Sequence, residues 1–160
     1  MRSTLHNLVA ALLPLLVAGC GNLENAPFRV GTVRGQLTEY DTAVALVSLV
    51  GEPGVLAHVD AQGRFTLEDV PAGPVELFIV ATMDKAARLP VKVPGGQSVD
   101  VMAVKPGDAG FLDLRVKASQ GQRVTGGQAT LEGTPFQQLL LDGEGSLRVG
   151  PLPDGCYGVT

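Results

Sequence analysis

A chain of 160 residues, 45% hydrophobic and 18% charged, is long enough for one mid-sized domain or two small ones. Its formal net charge is −4, and Arg29, Arg34, Arg64, Lys92, Arg115 and Arg148 are scattered without interleaved aromatics, which argues against a nucleic-acid partner. Gly (21) and Pro (11) recur as spaced turn signals between short Val/Leu-rich runs, the rhythm of an all-β sandwich.

Residues 1–19 read as a signal segment, with Arg2 as a positive start and an apolar run from Leu8 to Val17. The ending Val17-Ala18-Gly19-Cys20 resembles the lipobox of bacterial lipoproteins. That resemblance implies cleavage before Cys20 and acylation of its sulfur, so the membrane is a partner through Cys20. Two or more acyl chains anchor stably, since each buried methylene adds about 0.8 kcal/mol. Gly21 stands where an Asp would signal inner-membrane retention in Gram-negative sorting, so the expected address is the cell envelope, with the outer membrane favoured. Residues 20–27 form a short tether, and the stretch after Cys20 spans at most about 25 Å when extended.

Residues 28–105 read as the first β-sandwich. Gly31-Thr32-Val33 and Ala45-Leu46-Val47-Ser48-Leu49-Val50-Gly51 alternate as strands do. Val55 to His58 then meets Arg64 to Glu68 across Asp60-Ala61-Gln62-Gly63. Gly63 supplies positive φ without a Cβ clash, and the Asp60 carboxylate is placed to accept from the N–H two residues on. Phe65 and Leu67 face inward between polar neighbours. Pro71 and Gly73 close the next turn before the run Val75 to Val80. Leu89 to Val93 and Ser98 to Val104 supply two closing strands.

After a linker at 106–110, residues 111–160 read as a second sandwich in tandem. One constant offset, without a gap, brings Asp60 onto Asp142, Gly63 onto Gly145, Phe65 onto Leu147, Pro71 onto Pro153 and Gly73 onto Gly155. Thr160 falls on Phe78, so the closing strands have no counterpart in the second repeat. Three readings stay open: a longer natural sequence, docking of the short unit on the first, and a strand supplied by a partner.

These motifs resemble the carboxypeptidase regulatory-like, or prealbumin-like, β-sandwich family. The matching stretches are Gly31 to Val33, Ala45 to Gly51, Asp60 to Phe65 and Pro71 to Leu77, with Ala129 to Gly133, Asp142 to Leu147 and Pro153 to Val159 in the second copy. The likeness implies fold rather than activity, because the matched residues are turn and core positions. The His-x-x-Glu pair of the catalytic metallocarboxypeptidase unit is absent from the sequence.

Chemistry-bearing residues are few. His58 is the one histidine beyond the signal, a strand residue without the clustered His, Cys or carboxylate ligands that zinc requires. No phosphate-binding Gly-rich loop follows a strand, and Gly95-Gly96 and Gly126-Gly127 read as turns. Two isolated Asp-x-x-Gly turns fall short of the oxygen cage that calcium needs. The expectation is a non-enzymatic chain, without metal or cofactor, that works by display, spacing or contact with envelope proteins. Its alternatives are a glycan-binding module, discriminated by aromatics lined up on one exposed face, and an accessory subunit of a separate enzyme. Alternation places Cys156 outward beside an inward Tyr157, which makes an intermolecular disulfide at Cys156 a candidate.

Overall fold

The computed structural model describes residues 29–122, 124 and 126–160. The expected signal segment 1–19, the lipidation site Cys20 and its tether lie outside the described residues. The described chain is all-β. The first unit contains β1 (Val30–Leu37), β2 (Leu46–Leu49), β3 (Glu52–His58), β4 (Arg64–Pro71), β5 (Gly73–Val80), β6 (Lys85–Val93) and β7 (Ser98–Val104). A three-stranded sheet, β4-β1-β7, lies across a core from a five-stranded sheet, β3-β2-β5-β6-β8, in which β8 is Gly107–Asp108.

Alternation explains that core. Val33 and Leu37 on β1 and Phe65 and Leu67 on β4 meet Val47 and Leu49 on β2 and Leu77 and Ile79 on β5, all buried. Burying each such side chain contributes about 1.5–3 kcal/mol. Residues 106–110, expected as a linker, carry β8 on the edge of β6, where the Lys85 ammonium lies 2.7 Å from the Asp108 carboxylate.

β5 departs from simple alternation. Phe78 and Val80, on the face away from the first core, are also buried, because the second repeat covers them. Its strands are β9 (Gly110–Arg115), β10 (Gln128–Ala129), β11 (Leu139–Leu140) and β12 (Ser146–Leu152). Leu131, Val149 and Leu152, with Leu112, Leu114 and Leu147 half-buried beside them, close on Phe78 and Val80 and on Leu46 and Val50 of the first unit. Among the described residues, the second repeat therefore uses the outer face of the first unit's sheet as the opposing layer of its own core. The result is three layers sharing a central sheet.

The repeat extends to pairing register. Leu46 opposite His58 and Val47 opposite Ala57 recur as Gln128 opposite Leu140 and Ala129 opposite Leu139. Leu49 opposite Leu77 recurs as the isolated bridge between Leu131 and Val159. Even the irregularity on the first strand repeats: Val33 faces Leu67 and Gly31 faces Val70, as Leu112 faces Val149 and Gly110 faces Leu152.

Candidate functional site

The two hairpin turns found from sequence have the same geometry. Asp60 Oδ1 accepts from the N–H groups of Gln62 and Arg64 at 2.8 and 2.9 Å, and Asp142 Oδ1 accepts from those of Glu144 and Ser146 at 2.9 and 2.7 Å. Gly63 and Gly145 take φ of 78° and 75°. The N–H of Arg64 holds the Asp60 carboxyl below its ordinary range against the opposing effect of burial, with further lowering by the Gln62 N–H and the Arg64 guanidinium. These are structural devices. They fix the strands on either side and leave no reactive group in common.

The turns formed by Pro71 with Gly73 and by Pro153 with Gly155 have diverged in use. Gly73 lies in open space at φ 125°, whereas a Cβ on Gly155 would sit 3.0 Å from Arg88 Cζ. Gly155 thus admits the Arg88 side chain, which pairs with Glu76 at 3.2 Å and lies 5.1 Å from the Tyr157 ring centroid. The Tyr157 hydroxyl donates to the Pro153 carbonyl, and burial pushes its phenol above the ordinary value. Cys156, next to it, is exposed and free. Two edge-to-face contacts, Phe78 with Phe136 at 6.1 Å and Phe78 with Tyr157 at 6.5 Å, seat this segment on the first unit. The Gly51 N–H also donates to the Gly133 carbonyl at 3.1 Å, a main-chain bond between the repeats.

The outer faces of the two repeats carry matching grooves. One, of about 860 Å³, is lined by Arg34, His58, Asp60, Arg64, Thr66 and Asp100. The other, of about 840 Å³, is lined by Asp113, Arg115, Leu140, Asp142, Ser146 and Arg148. Both are open sheet faces. His58 is exposed at the margin of the first, and the described residues hold no group of three or more His, Cys, Asp or Glu side chains able to bind a metal.

The asymmetry between the repeats defines the candidate site. β1 is paired on both edges, with β4 on one side and β7 on the other. β9, its counterpart, is paired with β12 alone among the described strands. Among the described residues, no strand lies beside β9 where β7 lies beside β1. Leu37 is 1% exposed, while Val116, whose N–H donates to Gly145 as that of Leu37 donates to Gly63, is 41% exposed. Leu112 and Leu114 are half-buried, and Phe111 is exposed under the Arg148 guanidinium at 4.7 Å. Arg148 also reaches Asp113 at 3.1 Å. Sequence reasoning left the counterpart of β1 unplaced, because an ungapped offset does not bring Gly31-Thr32-Val33 onto Gly110-Phe111-Leu112. A search allowing a short insertion before β10 would have found it.

No family model matches the chain, and no curated protein matches it. Among solved structures it is similar to the Bacillus anthracis TIE protein, at 16% identity and a TM-score of 0.39. That likeness covers 82% of this chain, which spans 28% of the length of that one.

Proposed function

We propose that this chain is a lipid-anchored, non-catalytic interaction module of the bacterial cell envelope, built from repeats of the prealbumin-like kind. The observation that carries the interaction role is the apolar surface of the second repeat, where Phe111, Val116 and Leu140 are exposed among the described residues. The lipobox-like ending at Cys20 supports the anchor, and Gly21 after it supports the outer membrane. No helix among the described residues is long and apolar enough to cross a membrane. Glycan platforms draw on exposed rings, whereas Phe65 and Phe78 are buried, Tyr40, Phe136 and Tyr157 are half-buried against the cores, and Phe111 lies under Arg148.

The anchor is tested with the full chain and its Cys20→Ser variant, expressed in a bacterium supplied with labelled palmitate. Wild type should carry label and sediment with membranes, and the variant should lose both. Wild-type protein without label, or membrane retention unchanged in the variant, would refute the anchor. The interaction role is tested by cross-linking from a Leu140→Cys variant of the full chain in its own envelope membranes: a cross-link to one defined protein supports it, and a chain that stays uncross-linked refutes it.

A further inference from the structure

The outer sheets of the two repeats differ at one matched position. Arg34 on β1 stands opposite Thr66 on β4, and the same place in the second repeat holds Asp113 on β9 opposite Arg148 on β12. Asp113 and Arg148 satisfy each other at 3.1 Å, whereas Thr66 faces Arg34 with a neutral hydroxyl. On its other side Arg34 neighbours Asp100 of β7, but the Asp100 Oδ1 is engaged on its own strand, accepting from the Met102 N–H at 2.7 Å. Arg34 is exposed and has no carboxylate within ion-pair distance among the described residues. Met102 is unusual as well. The β1–β7 register slips between Arg34 and Gln36, and Met102 sits in that slip at φ 60°, a strained conformation for a residue other than glycine. Its side chain is 72% exposed, so packing does not offset the strain, and such outliers concentrate where ligands are held.

We infer that the groove on this face, lined by Arg34, Thr66, Asp100 and Met102, binds an acidic side chain of a partner polypeptide, with its carboxylate seated on the Arg34 guanidinium. A guanidinium presents two parallel N–H groups that match the two oxygens of a carboxylate. An exposed ion pair alone holds a ligand weakly, so the groove's other groups make the site. The Thr66 hydroxyl donates to the same carboxylate, the Asp100 Oδ2 accepts a main-chain N–H of the ligand, and the Met102 thioether gives an adaptable apolar flank. The Asp100 charge beside Arg34 disfavours a phosphate dianion. A glycan would draw on a stacking ring, and Phe65 beneath the groove is buried. In the second repeat Asp113 already answers Arg148, so the matching groove takes no such ligand. The site lies on the first unit and goes beyond the interaction role of the second repeat's apolar surface.

The test is an NMR titration of the full chain in detergent micelles with two end-blocked tripeptides, Gly-Glu-Gly and its Gly-Gln-Gly counterpart. The Glu peptide should shift the Arg34 side-chain and Thr66 signals saturably and bind about tenfold tighter than the Gln peptide. Arg34→Gln should weaken the Glu peptide about tenfold, and Arg34→Lys, which keeps the charge and loses the fork, should weaken it less. Thr66→Glu sets a carboxylate opposite Arg34, as the second repeat does, and should abolish binding while the fold keeps its stability. Met102→Gly adopts φ 60° freely, so its unfolding midpoint should hold or rise while binding weakens. Shifts that grow without saturating, equal affinity for the two peptides, or binding unchanged in Arg34→Gln overturns the inference. Inorganic phosphate binding tighter than the Glu peptide overturns it in favour of a phosphate site. Each of these failures leaves the apolar surface of the second repeat to its own test through Leu140→Cys.

Discussion

The Arg88 guanidinium carbon lies 5.1 Å from the Tyr157 ring centroid, so a residue in the middle of β6 clasps the last turn of the second repeat onto the first. Such a contact contributes about 0.5–2 kcal/mol. Arg88→Ala should therefore lower stability by about 1 kcal/mol and speed amide exchange in residues 153–160 more than in β1. Exchange rates that change equally in both regions would show that the contact does not hold this segment specifically.

Phe78 is the residue on which the second core depends. It is completely buried, and it belongs to the first unit's sheet while packing against Phe136 and Tyr157 of the second repeat. Phe78→Ala should cost about 3–5 kcal/mol. Amide protection should fall in β12 before it falls in β1 and β4. A variant that keeps wild-type protection in β12 would contradict the shared-layer arrangement.

Gly63 and Gly145 should resist substitution for two reasons at once. Both hold positive φ, and a Cβ would run into the Tyr40 ring at Gly63 or meet the Val116 carbonyl oxygen at 2.7 Å at Gly145. Gly63→Ala and Gly145→Ala should each destabilise by at least about 1 kcal/mol in urea unfolding. Gly73→Ala, with open space around it, should lose only the conformational part.

Acid should remove the contribution of Asp60. Its folded-state value is lowered from 3.8 by the N–H of Arg64 and further by Gln62 and the Arg64 side chain. A depressed carboxyl stabilises the fold above its unfolded value, and that stabilisation is lost as pH falls through the folded value. Asp108, lowered by Lys85, behaves in the same direction. Unfolding midpoints should hold steady down to pH about 4 and fall below it, with the acid limb shallower in Asp60→Asn, which keeps an accepting oxygen and loses the charge. An acid limb of equal slope in both proteins would show that the Asp60 charge does not matter.

Much of the first unit was legible in its residues. Asp60-Ala61-Gln62-Gly63 specified a turn whose hydrogen bonds are local, and the alternation of Phe65 and Leu67 specified which face of β4 is buried. The same spacing gave the second turn at Asp142 and Gly145. The run Leu77-Phe78-Ile79-Val80 also carried a signal that periodicity alone does not resolve. An unbroken apolar stretch is the mark of a strand buried on both faces, but it does not name what lies on the second face.

The all-β class, the hairpins and the internal repeat are written in the residues alone, because these follow from φ preferences and side-chain alternation within a few neighbouring residues. That the second repeat closes its core on Phe78 and Val80, and that β8 lies on the edge of β6, came from the folded structure alone. Those outcomes depend on contacts between residues far apart in the chain, where burial of apolar area and pairing of main-chain groups choose among layers that local spacing leaves equivalent.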